Sequence, residues 1–320
     1  MTKVMNLSKE IENAKSVAIS GHERPDGDCM GSTMGIYLYI KKNFPNIDTH
    51  VYLEDHSDVF NCIEGIDDIE NPDESERFFD VFICADCSCD RMAQNCQILF
   101  EKAGKRINID HHVTNANGTG DVNYVVAEAS SASELVYDVL DVDCIDEEIA
   151  KALYVGIIHD TGVLQYSNVS KKTLETVAKL ITYGFDFPRL IEETFYQKTY
   201  LQTKVCGKVM EESTLKLDGR VSIGTLSKKD MDSYGISSKD LDGIVNQLRQ
   251  IKGVDVAIFL HELAPFEVKV SMRSTERVNV SQIAQTVGGG GHVRAAGATM
   301  KGEFKDIIEI LLKEIQKQYD

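Results

Sequence analysis

Short apolar runs rich in β-branched residues alternate with longer stretches of helical spacing through the first half of the chain. SVAIS (16–20), DTHVYLE (48–54), DVFICAD (80–86) and KRINID (105–110) read as strands. GSTMGIYLYIKKN (31–43) spaces Met34, Ile36, Leu38 and Ile40 in a helical manner and ends polar. SSASELVYDVLDV (130–142) and DEEIAKALYVGIIHDTG (146–162) read as helices, the first with a serine cap and Glu134 close behind. Strand–helix alternation of this kind predicts an α/β fold: a doubly wound, mainly parallel sheet.

KKTLETVAKLITYGFD (171–186) predicts another helix, which Gly184 closes. FPRLIEETFYQKTYLQTKVCGKVMEES (187–213) is helical in character and reads as a connection. From GRVSIGTLS (219–227) the pattern restarts, with strands at 254–262 and 266–274, a helix at 279–287, a glycine run, a strand at 292–300 and a last helix at 303–318. The expected organisation is a first domain over 1–188, a helical linker over 189–212 and a smaller α+β domain over 213–320.

The chain has 320 residues, 42% of them hydrophobic, enough for two cores. No apolar run reaches the roughly 20 residues of a membrane span. The polar start, MTKVMNLSKEIENAKS, reads as an amphipathic helix and not as a secretory signal. Eight cysteines without such a signal predict reduced thiols and a cytoplasmic protein. With 34 basic against 51 acidic residues and a net charge of −17, duplex DNA is not an expected partner. A small anionic substrate held by metals and a few local bases remains open.

The acids and histidines fall at strand ends. His22, Asp26 and Asp28 follow the first strand; Asp86 ends the strand at 80–86; Asp110, His111 and His112 close KRINIDHH; Asp160 follows the helix-like YVGII. Open α/β sheets gather ligands at the carboxyl ends of their strands, so these residues are expected to converge. Taken singly, Asp86 or Asp160 reads as a turn residue and Asp26 as part of a Pro25–Asp26–Gly27 turn. Taken together they read as a cation site, because several buried carboxylates are costly unless neutralised. Carboxylate and imidazole donors suit Mn²⁺ or a similar ion, and the set is too large for one ion. His159 reads as a core histidine, and His50, His56 and His261 as ordinary. Cys84, Cys87 and Cys89 surround Asp86 without a second matching pair, and read as incidental thiols.

GHERPDGDCMGS, ADCS, IDHHV and GIIHDTG resemble, in order and spacing, the four motifs of the DHH phosphoesterases. SMRS and GGGGHVRAAG resemble the substrate-binding motifs of the DHH-associated domain that follows the catalytic one in many members. Within that superfamily the chain resembles the nanoRNase (oligoribonuclease) and 3′-phosphoadenosine-5′-phosphate (pAp) phosphatase type. The resemblance implies a hydrolase with two Mn²⁺, with Mg²⁺ or Co²⁺ as alternatives. It implies His22, Asp26 and Asp86 on one ion, and Asp28, Asp86, His111 and Asp160 on the other, with Asp86 bridging. His112 would stand near the leaving group, and Asp110 would orient the histidines.

In the second domain, Arg273, Gly290, Gly291 and His292 are expected to hold the substrate phosphate, within the one basic stretch of an acidic chain. Arg277 and Arg294 read as solvated or supporting. The implied substrates are single-stranded oligonucleotides of two to about five nucleotides, cut to mononucleotides, and pAp. A phosphodiesterase for cyclic-di-AMP or linear pApA, an inorganic pyrophosphatase, a RecJ-type exonuclease and a non-catalytic nucleotide sensor are the alternatives. No membrane is expected as a partner. Oligomeric state is open, a homodimer included.

Overall fold

The structure is a computed structural model that describes residues 5–71 and 77–319, except the side chains of Gln94 and His292. The chain divides into two units, Met1–Gln197 and Lys198–Asp320.

The first unit runs α1 (Leu7–Ile11), β1 (Ser16–Ser20), α2 (Gly27–Asn43), β2 (Asp48–Tyr52), β3 (Ile69–Glu70), β4 (Val81–Ala85), α3 (Gln94–Lys102), β5 (Lys105–Asp110), β6 (Val122–Val125), α4 (Ala132–Val139), α5 (Glu147–Asp160), α6 (Lys171–Leu180) and α7 (Phe187–Ile191). All its strand pairs are parallel, in the order β3-β2-β1-β4-β5-β6. Both faces are buried. Val17 and Ile19 of β1, and Val81, Ile83 and Ala85 of β4, join the core under α2, α4 and α5. Ala18, Phe82 and Cys84 point the other way, onto Leu99 and Phe100 of α3. Alternate side chains thus serve opposite faces, and each strand is apolar throughout. The chain order reverses between β1 and β4, and such a switch point opens a crevice at the strands' carboxyl ends.

The second unit contains α8 (Tyr200–Glu211), β7 (Thr214–Lys216), β8 (Val221–Leu226), α9 (Lys228–Tyr234), α10 (Ile244–Arg249), β9 (Val256–Ala264), β10 (Glu267–Ser274), α11 (Val280–Thr286), β11 (Gly290–His292), β12 (Ala295–Lys301) and α12 (Phe304–Gln316). They form a mixed sheet, β11-β12-β10-β9-β8-β7, in which β8 and β9 are parallel and the other pairs antiparallel. Val256, Ile258 and Leu260 of β9 pack towards α12, and Ala257 and Phe259 towards α8 and α10.

Several elements differ from the pattern read in the sequence. The helix expected from residue 31 begins at Gly27, because the Asp26 carboxylate accepts from the Asp28 and Cys29 N–H groups and caps it. The N-terminal helix is confined to Leu7–Ile11 among the described residues. β6 was not foreseen. The stretch 189–212 is shared between the units: Leu190 packs in the first core, while Val205 and Val209 of α8 pack in the second.

α2 and α5 meet through glycines. A Cβ on Gly31 would lie 2.6 Å from the Ala152 carbonyl oxygen and 2.6 Å from the Gly156 nitrogen. Backbone cannot yield as a side-chain tip can. Gly31→Ala should therefore cost the first unit about 1–3 kcal/mol, the usual penalty of overpacking. Urea denaturation followed by a probe in that unit checks this, and an unchanged midpoint would contradict it.

Candidate metal centre

The crevice between β1 and β4 collects the acids. The chain leaves β1 through Gly21 and His22, turns at Arg24 in the left-handed region (φ 56°), and enters α2 at the Asp26 cap. Asp28, in the first turn of α2, is 1% exposed. Its carboxylate accepts from the backbone N–H groups of Ala132 (2.6 Å) and Ser133 (2.9 Å), at the start of α4. A helix N-terminus favours an anion there. Gly156 makes room, since a Cβ on it would meet Ser133 Oγ at 1.9 Å and Asp28 Oδ1 at 3.0 Å.

Asp86, directly after β4, has φ 61° and is 2% exposed. A non-glycine residue in the left-handed region costs about 1–3 kcal/mol and persists only where its surroundings enforce it. Two things do so: the Asp86 N–H donates to the Ile109 carbonyl (2.9 Å), and Asn108 Nδ2 donates to the carbonyls of Cys84 (3.1 Å) and Cys87 (2.9 Å) on either side. The resulting carboxylate lies between histidines. Its Oδ2 is 3.4 Å from His22 Nε2, and its Oδ1 is 3.4 Å from His111 Nε2 and 3.7 Å from His112 Nδ1. Oδ1 is buried and has no hydrogen-bond partner.

His111 Nε2 also lies 3.7 Å from Asp28 and 3.8 Å from Asp160. Asp160 is the last residue of α5, the negative end of the helix dipole, where a carboxylate is misplaced unless a cation offsets it. Behind these groups Asp110 is fully buried. Its Oδ1 accepts from the backbone N–H groups of His111 (2.7 Å) and His112 (3.1 Å) and pairs with His112 Nδ1 (2.7 Å), while its Oδ2 accepts from Asn115 Nδ2 (2.7 Å).

Protonation follows this crowding. Burial raises Asp28, and the charges of Asp86 and Asp160 raise it further. Burial pushes Asp160 up to about 7; His111 opposes, while Asp86 and Asp26 add to the rise. For Asp86 burial also works upwards, but His111 and His22 outweigh it and hold the carboxyl below the usual range. Burial disfavours charge on His22, His111 and His112, yet Cys29 with Asp26 and Asp86 raises His22, and the surrounding carboxylates raise His111 and His112. The site thus draws in protons to offset its acids, which is the chemistry of a cation site.

Three donor groups, each with ligand atoms mutually within 4.8 Å, lie here: Asp28, His111 and Asp160; Asp86, His111 and His112; and His22, Cys29 and Asp86. The residues fit divalent cations on two grounds, the orphaned Asp86 Oδ1 and the mixed carboxylate and imidazole donors. Asp26 lies 3.6 Å from His22 Nε2 besides capping α2, and Cys29 joins His22 and Asp86.

The sequence reading missed Cys29, although it stands one helical turn from Asp26. Asn108 and Asn115 were also missed, Asn115 Nδ2 bonding both Asn108 Oδ1 (2.9 Å) and Asp110. Asn168 donates to the Asp160 carbonyl (3.1 Å) and carboxylate (3.3 Å). An asparagine inside the apolar strand KRINID was the available signal. His159, expected in the core, is half-buried, its Nε2 3.0 Å from Thr194 Oγ1 and its ring against Phe60 and Phe195.

In the second unit, Arg273 on β10 and His292 on β11 stand level with Ala295 of β12, one on each side. Arg273 is half-buried and donates to the Met272 carbonyl at 3.1 Å; the His292 side chain lies outside the described residues. Gly288 and Gly289 spend their N–H groups on the carbonyls of Gln285 (3.3 Å) and Ala284 (2.8 Å), so the glycine run is a turn followed by a short edge strand. Arg294 is tied to the carbonyls of Thr275 and Val278, and Arg277 lies 3.7 Å from Asp255.

Residues 16–157 match the DHH family, N-terminal domain, and residues 218–318 match the DHHA1 domain. The chain is 27% identical to the bifunctional oligoribonuclease and PAP phosphatase NrnA of Thermus thermophilus, over 99% of this chain and 95% of that protein. It is 25% identical to the protein of the same name from Bacillus subtilis, over 92% of each. A solved exopolyphosphatase-related protein from Bacteroides fragilis shares the fold at TM-score 0.90 and 24% identity, covering 99% of this chain and 98% of that one.

Because Asp160 holds its proton up to about 7 and Asp28 is also raised, cation binding must displace protons. Divalent-ion affinity should rise as pH increases through about 7. Calorimetry in buffers of different ionisation enthalpy should show proton release; an affinity independent of pH would contradict this.

Proposed function

The chain belongs to the DHH family, its DHH domain followed by a DHHA1 domain, and as such it is a hydrolase of phosphoester bonds; we propose that its substrates are very short single-stranded oligonucleotides and pAp. The observation that carries this reading is the convergence of Asp28, Asp86 and Asp160 with His22, His111 and His112 around an Asp86 oxygen that has no hydrogen-bond partner. The relatives' names supply the substrate class.

Asp28, Asp86, His111 and Asp160 would hold one divalent cation, and His22, Asp26 and Asp86 the other, with Asp86 between them. Bound there, the ions supply Lewis-acid activation of water and neutralise charge on the phosphoryl group. The chain's own residues do the rest. Asp28, fixed by two N–H groups of α4, and Asp160, fixed by Asn168, keep the donors in place without further reorganisation. Asp110 anchors His112 through Nδ1. His112, whose proton affinity is raised, is suited to hand a proton to the leaving oxygen. No Ser or Cys nucleophile is required.

In the second unit the level row of Arg273, Ala295 and His292 suits a phosphate clamp. Ala295 is small beside Arg273, and Gly290 and Gly291 allow close backbone approach to a terminal phosphate. A clamp on one end of the substrate limits its length. Rates should fall steeply as the chain lengthens beyond a few nucleotides, unlike those of single-strand grooves that track roughly 4–16 nucleotides. A Mn²⁺-supported panel of a dinucleotide, a pentanucleotide, a long RNA, pAp, cyclic-di-AMP and pyrophosphate checks this. Equal rates on short and long RNA would favour a processive exonuclease, and preference for cyclic-di-AMP a different phosphodiesterase.

Arg273→Ala should lower kcat/KM roughly ten- to a hundredfold on substrates with a terminal phosphate, as loss of a charge-assisted hydrogen bond implies. It should bind Mn²⁺ normally and lose little on bis-p-nitrophenyl phosphate. Equal loss on both substrates would place Arg273 in the catalytic machinery.

A further inference from the structure

Cys29 stands in the first turn of α2, fully buried. Its N–H donates to Asp26 Oδ1 (3.1 Å), which fixes the turn. Its Sγ faces the segment leaving β1, where a Cβ on Gly21 would lie 2.2 Å away, so the glycine is what lets the thiol reach this place. There the Sγ, a ring nitrogen of His22 and a carboxylate oxygen of Asp86 lie mutually within 4.8 Å. A buried cysteine is usually a small hydrophobe, and one side of Cys29 does pack in the core. Its other side meets the His22 imidazole, whose Nε2 lies 3.4 Å from Asp86 Oδ2, and the Sγ also lies 4.0 Å from the His22 carbonyl oxygen. Nitrogen, oxygen and sulfur donors together suit a borderline or soft ion. The neighbouring group, Asp28, His111 and Asp160, offers only oxygen and nitrogen.

We propose that the two cation positions differ in kind: the one at His22, Asp86 and Cys29 takes a thiophilic divalent ion such as Zn²⁺, with the Cys29 thiolate as a ligand, while the one at Asp28, His111 and Asp160 takes a harder ion such as Mn²⁺. This rests on the cation-site reading above. On binding, the S–H bond breaks, the electron pair remains on sulfur as the donor pair, and the proton passes to solvent. No electron is transferred. Zn²⁺ and Mn²⁺ then fill the centre together, and Cd²⁺ competes at one position only.

The test is a Co²⁺ titration of the metal-free full-length chain, wild type, Cys29→Ser and Cys29→Ala. Thiolate-bound Co²⁺ has an intense near-ultraviolet charge-transfer band that nitrogen and oxygen ligands do not give. The wild type should develop the band, and both variants should lose it while still taking up Co²⁺. Cd²⁺ affinity should fall in the variants by at least the roughly ten- to hundredfold that loss of an outer-shell partner costs a metal site, while Mn²⁺ affinity holds. Cadmium NMR of the wild type reads sulfur ligation from its downfield shift without any substitution. Co²⁺ uptake without the band, a band that persists in both variants, or a cadmium shift typical of oxygen ligation would overturn the proposal and leave the cation-site reading intact. No uptake of Co²⁺, Mn²⁺ or Cd²⁺ by the wild type would overturn both.

Discussion

Like charges crowded at the carboxyl ends of β1, β4 and β5 constrain everything around them. Ligand oxygens of Asp28 and Asp160 lie within 4.8 Å of one another, and a pair at that range repels by about 3–4 kcal/mol at the effective dielectric of a protein site. The start of α4 returns up to about 2 kcal/mol to Asp28. Asp160, at the wrong end of α5, gains nothing from its helix. Protons drawn onto Asp28, Asp160 and the histidines relieve part of the repulsion, and divalent cations held by the same donors would relieve more. The supporting structure, from the strained Asp86 backbone to the Asn108–Asn115–Asp110 network, holds the carboxylates where repulsion would otherwise drive them apart.

That constraint explains what the sequence could and could not reveal. The strands at 16–20, 81–85 and 105–110 were legible because a parallel sheet covered on both faces demands uninterrupted apolar runs. The acids were legible because they fall where such strands stop. Asn108 was hidden inside one of those runs, since its partners are backbone carbonyls brought up by the neighbouring strand. The early start of α2 was hidden because Pro25–Asp26–Gly27 reads as a turn, whereas tertiary packing continues it directly into a capped helix. β6 is four residues long and contains Asn123, too little pattern to rise above a loop. The Gly290–His292 strand contradicts glycine's intrinsic preference, and pairing with β12 overrides it.

A centre dominated by aspartates repels free phosphate, so an oligonucleotide needs basic and backbone donors to bring it in. Arg273, level with His292 across β12, stands in a stretch where bases outnumber acids, the reverse of the whole chain. On the proposed reading, carboxylates gather cations in one unit and donors gather the anion in the other, two tasks with opposite electrostatic demands. No helix among the described residues is long and apolar enough to cross a membrane.

Asp86 is proposed to lie between two cations. Anomalous diffraction at the manganese and zinc edges, from crystals held in saturating Mn²⁺ and Zn²⁺, tests it directly. Two peaks, one within bonding distance of each Asp86 oxygen and flanked by His22 and His111 respectively, are the predicted result. A single peak, or peaks that leave Asp86 uncoordinated, would contradict it.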